Sequence, residues 1–228
     1  MRGSAVLVHG AWSNPDDWRW VVEYLRPGQV DLRAIDLPSH RSSSATRADD
    51  VSLLEKTIAE APPPVVVVGW SYGGQVITDI SADVNVARLV YVTSIPQTPE
   101  GTGDSGGGDG FDISKLAFPD DRSCVLEEQR WLSEWGPTFP GEVFEHLREH
   151  PRRPVALEAL LAPLARFAWQ SIRTTILLGR NDYLNPESRQ QWANASFDDV
   201  RIIDSDHFIP FRQPGLIAET VGEALGAT

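Results

Sequence analysis

The chain has 228 residues, a formal net charge of −12, 41% hydrophobic residues and one cysteine, Cys124. This length allows one core with a large insertion. The acidic balance argues against nucleic acid or an anionic membrane as partner, and a lone cysteine excludes an intramolecular disulfide. Cys124 lies in "DDRSCVLEE", an acidic setting that raises a thiol pKa, so it reads as structural rather than nucleophilic. The apolar run at the N-terminus is too short for a signal peptide, and no stretch reaches transmembrane length. The expectation is a cytoplasmic protein, monomer or homodimer, that acts on a small molecule.

Taken in order, "AVLVHG" (5–10) reads as a strand. "NPDDWRWVVEYLR" (14–26) reads as a helix capped by Asn14, with Pro15 at its first position. "VDLRAIDL" (30–37) is a second strand, and "RADDVSLLEKTIAEA" (47–61) a helix that stops at Pro62. "VVVVGW" (65–70) precedes a helical stretch at 71–84, and "ARLVYVTS" (87–94) is a fourth strand. "EGTGDSGGGDG" (100–110) reads as a mobile loop. Beyond it, 123–136, 141–150 and 154–169 read as three helices with no strand among them. Strand "TTILLG" (174–179), helix 185–195, strand "VRIID" (200–204) and helix 215–225 complete the chain. The apolar runs are nearly continuous, as in strands buried on both faces of a parallel sheet. The expected class is α/β, with a core from 1–96 and 171–228 and an inserted helical cap at 97–170.

Gly69-Trp70-Ser71-Tyr72-Gly73 fits G-x-S-x-G between a predicted strand and a predicted helix, the context that motif demands. Small residues two before and two after Ser71 permit a sharp turn that lifts its hydroxyl above the sheet. A serine nucleophile needs a base, and the base needs an orienting acid. His146 and His150, one helical turn apart in a charged segment, read as a solvated face; His40 reads as a loop residue and His9 ends the first strand. His207 follows the last strand at the sheet end that carries Ser71, so it is the expected base. Asp182 in "LLGRNDYLNP" follows the fifth core strand and is the expected acid, while Asp204 and Asp206 lie too near His207 in sequence to orient it. The oxyanion donors expected are the backbone N–H groups of Tyr72 and of Ala11, with Trp12 as the alternative to Ala11.

Together "VLVHGAW", "AIDLPSH", "VGWSYGG", "YVTSIP", "LLGRND" and "DHFIPFRQP" resemble, in order, the α/β-hydrolase superfamily. The likeness is to its compact branch of plant-type methyl esterases, hydroxynitrile lyases and related bacterial esterases. It implies six mostly parallel strands flanked by helices under a helical cap. It implies Ser71 as nucleophile, His207 as base, Asp182 as acid, and Ala11 and Tyr72 as oxyanion donors. Hydroxynitrile lyases of this branch carry a lysine after the catalytic histidine and a threonine after the first-strand histidine; Phe208 and Gly10 stand there.

The expected activity is therefore serine hydrolysis of a carboxylic ester, with no cofactor or metal. Trp12, Trp131, Trp135 and Phe208 are candidate pocket residues. The cap aromatics Trp131, Trp135, Phe139, Phe167 and Trp169 suggest either an apolar substrate or simple packing of cap on core. The rival readings are a tailoring enzyme using the same site (a cyclase, lyase or C–C bond hydrolase) and, from another class, a ligand receptor with this fold.

Overall fold

Apolar residues alternate faces along the central strands and bury both of them. In the computed structural model, which describes residues 3–25, 30–99, 113–127 and 133–226, the strands are β1 (Ser4–Val8), β2 (Asp31–Ile35), β3 (Val65–Trp70), β4 (Arg88–Val92), β5 (Leu116–Asp120), β6 (Ser123–Leu126), β7 (Val155–Ala156), β8 (Thr174–Gly179) and β9 (Val200–Ile203). Six of them form one parallel sheet in the order β2-β1-β3-β4-β8-β9. Val6, Val8, Val67, Tyr91 and Leu178 belong to one core, and Leu7, Val68, Val92 and Leu177 to the other. The successive strands thus run as apolar segments because neither face meets water.

Helices α1 (Arg19–Tyr24), α2 (Arg47–Ala59), α3 (Tyr72–Thr78), α4 (Gly141–Glu149), α5 (Leu157–Leu161), α6 (Glu187–Ser196), α7 (Ile209–Arg212) and α8 (Pro214–Ala224) surround the sheets. Asn14 caps as expected, accepting the Asp16 N–H, but a 3₁₀ turn at Pro15–Trp18 precedes α1. Helix α2 starts with a capping box in which Thr46 and Asp49 satisfy each other's backbone N–H. Helix α3 is shorter than the expected 71–84. It ends at Asp79, whose carboxylate accepts the N–H groups of Ala165 and Arg166.

The 97–170 segment departs from the reading in more than one respect. The expected helix 154–169 is strand β7, the five-residue helix α5 and a 3₁₀ turn at Ala168–Gln170, because Pro163 holds Ala162 extended and stops α5. The segment also contains a three-stranded antiparallel sheet, β5-β6-β7, where only helices were expected. Asp120 accepts the Arg122 N–H and turns the chain between β5 and β6. The start of the expected helix 123–136 is therefore strand β6. Pro119 sits in β5, at the edge of the sheet, where its missing N–H costs no ladder bond. Cys124 is buried on β6, and burial raises its thiol pKa, a different cause from its acidic neighbours. The glycine-rich stretch 100–110 lies outside the described residues. No described helix is long and apolar enough to cross a membrane.

His146 is a further correction. Helix α4 lays Val143 and Leu147 on the core, and His146 shares that face. His146 is buried, 3.3 Å from Asp17 and edge-on to Trp20, and His150 stacks on it at 4.3 Å. His40 is likewise buried, in a 3₁₀ turn at Pro38–His40.

Candidate active site

The chain reverses its direction of winding between β1 and β3. The loops after those strands therefore meet over a crevice at the C-terminal end of the sheet. Ser71 stands between β3 and α3 with φ 52° and ψ −117°, a conformation rarely adopted by residues with a side chain. Crowding enforces the flanking glycines. A Cβ on Gly69 would stand 2.5 Å from the Gly73 carbonyl oxygen, and one on Gly73 would collide with the carbonyl of Val8. Helix α3 is thereby pressed against the end of β1, and the turn that holds Ser71 has no room to relax. The Ser71 N–H donates to the Val92 carbonyl at 3.0 Å, which ties the turn to β4.

Asp182 and His207 come from the loops after β8 and β9. His207 Nδ1 lies 3.0 Å from both carboxylate oxygens of Asp182. Asn185 Nδ2 donates to Asp182 at 2.8 Å and the Leu184 N–H at 2.9 Å. Burial alone would raise the Asp182 carboxyl, but the charge of His207 and these hydrogen bonds outweigh it and hold the pKa below the usual carboxylate range. The backbone of His207 is also fixed: its carbonyl accepts from the Trp70 indole and the Thr93 hydroxyl, each at 3.0 Å. Asp206, by contrast, binds Arg212 and the Phe208 N–H at the start of α7.

Ser71, His207, Ala11, Trp12, Trp135 and Phe208 line one cavity. Trp131 lies outside the described residues. Tyr72 is the first residue of α3, so its N–H has no intrahelical acceptor. The Gly10–Ser13 loop approaches Ser71 closely, since a Cβ on Gly10 would stand 3.2 Å from the Ser71 Cβ. The Trp12 N–H donates to His40 Nε2 at 3.1 Å. Phe139 and Trp169 do not line the cavity; they pack against Phe211 and Phe197.

The rest of the lining did not come from the sequence. Trp70, Leu126, Leu147, Tyr183, Leu184 and Phe211 add apolar wall, and Tyr183 stacks on Trp135 at 5.7 Å. Arg152 also lines the cavity, as a cation clamped by both oxygens of buried Asp17 at 2.6 and 3.1 Å. Tyr183 directly follows Asp182, which could have flagged it; Arg152 carried no motif. No group of three or more acidic, histidine or cysteine residues among the described residues is arranged to hold a metal ion.

A model of the alpha/beta hydrolase family matches residues 5–220. The chain belongs to that family. An alpha/beta hydrolase, nvfD, of Aspergillus novofumigatus is 24% identical over 261 residues, covering 99% of this chain and 98% of the relative. A pimeloyl-acyl-carrier-protein methyl ester esterase of Aromatoleum aromaticum is 27% identical over 226 residues, covering 90% of each. Vibrio esterases of the same name match only 40% of the chain and 37% of their own length. Among solved structures, a pyrethroid hydrolase from Sphingobium faniae JZ-2 superposes with a TM-score of 0.78 at 17% identity, over 98% of this chain and 97% of that one, a likeness of fold.

Proposed function

We propose that this alpha/beta hydrolase is a serine esterase that cleaves small apolar carboxylic esters without a cofactor. The observation that carries the reading is the Asp182–His207 pair, 3.0 Å apart, beside a serine held in a strained turn and lining the same cavity as His207. With Nδ1–H donated to Asp182, the neutral imidazole keeps a lone pair on Nε2 for the Ser71 proton. Ser71 Oγ attacks the ester carbonyl as His207 takes its proton. The tetrahedral oxyanion is met by the N–H groups of Ala11 and Tyr72; Trp12 is not the second donor, because its N–H is engaged by His40. His207 then protonates the departing alcohol, and the acyl group remains on Ser71. Water, deprotonated by His207, attacks that acyl group, and collapse releases the acid and returns the proton to Ser71.

The cavity favours a small, apolar group. Its free volume is about 50 Å³, room for roughly three to five waters at about 10–15 Å³ each. Its aromatic and aliphatic walls offer little hydrogen bonding, and dry surroundings strengthen the oxyanion contacts. A panel of p-nitrophenyl esters from acetate to decanoate, run with wild type and Ser71→Ala, tests the reading. Turnover should be greatest for the shortest acyl chains and absent in Ser71→Ala, and a fluorophosphonate should label Ser71 alone. Labelling without turnover of any ester would favour a non-hydrolytic reaction at the same serine, and equal turnover by Ser71→Ala would remove the assignment.

A further inference from the structure

Behind the loop that carries Ala11 lies a second chain of buried polar groups that the ester mechanism does not use. Trp12 has φ +60°, a left-handed conformation that a non-glycine residue keeps only when its surroundings over-determine it. Its N–H donates to His40 Nε2 at 3.1 Å. His40 Nδ1 lies 3.0 Å from the Ser39 hydroxyl, and that hydroxyl donates to Asp50 at 2.6 Å. The Tyr72 hydroxyl donates to the same Asp50 oxygen, also at 2.6 Å.

The Trp12 N–H sets an order of donors and acceptors along this chain. Because Nε2 accepts the Trp12 N–H, Nδ1 carries the imidazole proton and donates to Ser39 Oγ, whose own proton goes to Asp50. His40 must then be neutral, since a proton on Nε2 would face the Trp12 N–H. Burial, helped by the neighbouring His9 imidazole and the Arg153 and Arg152 charges and opposed by the Gly10 carbonyl, keeps the imidazole well below its ordinary pKa. One carboxylate thus anchors the residue after the nucleophile through Tyr72 and the opposite loop through Ser39 and His40.

We propose that Asp50, Ser39 and His40 form a positioning relay that sets the two halves of the oxyanion hole relative to each other. The proposal rests on the esterase reading of Ser71. A merely structural histidine would be needed for folding alone, whereas this one is needed for the geometry of the loop that must meet the oxyanion. Its removal weakens most what is bound only as the carbonyl becomes tetrahedral.

The test compares wild type, His40→Ala, His40→Gln, His40→Asn and Ser39→Ala in the full chain, with folding checked by circular dichroism. Glutamine can offer an acceptor where Nε2 stood; asparagine reaches only the Nδ1 position. Removal of a whole oxyanion donor costs about 10²–10³ in kcat, so a displaced one in His40→Ala should cost roughly 10- to 100-fold. KM should stay within about twofold, as expected when only transition-state binding is lost. Affinity for an aryl trifluoromethyl ketone, whose adduct carries the oxyanion, should fall by the same factor as kcat, and affinity for the matching methyl ketone should not change. His40→Gln should recover most of the loss and His40→Asn should not. Ser39→Ala should show the same pattern more weakly; it is the deciding variant if His40→Ala does not fold. A folded His40→Ala or Ser39→Ala with wild-type kcat, a loss confined to KM, unchanged trifluoromethyl ketone affinity, or equal recovery by asparagine each overturns the relay while Ser71-dependent turnover stands. Turnover that is absent in wild type, or retained in Ser71→Ala, overturns the esterase reading and the relay with it.

Discussion

Acidification from pH 7.5 to 4.5 should destabilise the fold through His9. This residue is wholly buried at the end of β1. Its Nε2 accepts the Leu37 N–H at 3.3 Å and faces Arg153 at 3.4 Å and Asp36 at 3.9 Å, while Nδ1 meets the Gly10 carbonyl at 2.9 Å. Burial is the main reason that its pKa falls to about 4; Arg153 pushes the same way, and the Gly10 carbonyl, Asp17 and Asp36 oppose. The sign follows from which state binds the proton first. Unfolded His9 titrates near pH 6.5 and folded His9 near 4, so between these values the unfolded chain holds more protons and stability falls with pH. Integration from pH 7.5 to 4.5 gives a loss of about 2.5 kcal/mol from this residue. For a chain of 228 residues, at about 2–4 °C per kcal/mol, the melting temperature should drop by roughly 5–10 °C on its account. Differential scanning calorimetry at both pH values, on wild type, His9→Gln, His40→Gln and the double variant, separates the effect of His9 from that of His40, whose ring centroid lies 4.6 Å from its own. The pH-dependent drop should be smaller in His9→Gln by that margin. Equal drops in wild type and His9→Gln would refute the reasoning.

Asp182→Asn should lower kcat by about 10²–10⁴ with little change in melting temperature, and Asp206→Asn should affect kcat far less; stopped-flow or steady-state kinetics giving the reverse ranking would move the acid to the His207 loop. A Cβ on Gly74 would collide with the Ser94 side chain, so Gly74→Ala should cost about 1–3 kcal/mol in urea unfolding. Adding Ser94→Gly should restore most of it, and no recovery would mean that the crowding lies elsewhere. Among the described residues, Arg152 is the cation that lines the cavity, but Asp17 holds it in a bidentate pair, and Phe208 is apolar. Mandelonitrile should therefore release no cyanide above the uncatalysed rate, and release that disappears in Ser71→Ala would contradict this.

The central sheet was legible because a strand buried on both faces leaves a continuous apolar run, as in Val65–Val68. The strained turn at Ser71 was legible because steric crowding admits only glycine at 69 and 73. The β5–β6 hairpin was not: Pro119 argues against a strand unless its edge position is known, and the apolar residues of 123–136 also fit a helix. His146 was misread because its partner, Asp17, is 129 residues away in the chain. Arg152 and Leu126 join the cavity wall through tertiary packing, which no local pattern encodes. The Asp182–His207 pairing was expected from the place of Asp182 after a strand, but the Asn185 amide that helps fix Asp182 was not, since one asparagine in a turn looks like any other.

Trp12 has a further consequence for how such enzymes can be recombined. Three separate parts of the chain hold its polar groups: its N–H rests on His40, its carbonyl accepts the Arg153 N–H at 3.1 Å, and its indole donates to the Cys124 carbonyl at 3.1 Å. Two of those three come from the 97–170 segment. Through Cys124 and Arg153 that segment is tied to the loop beside Ser71. A graft that takes it from a relative brings new backbone to positions 124 and 153, and with it a new resting shape for the Gly10–Ser13 loop. Chimeras between members of this fold should accordingly lose rate along with selectivity unless the loop and its two distant anchors are transplanted as a set.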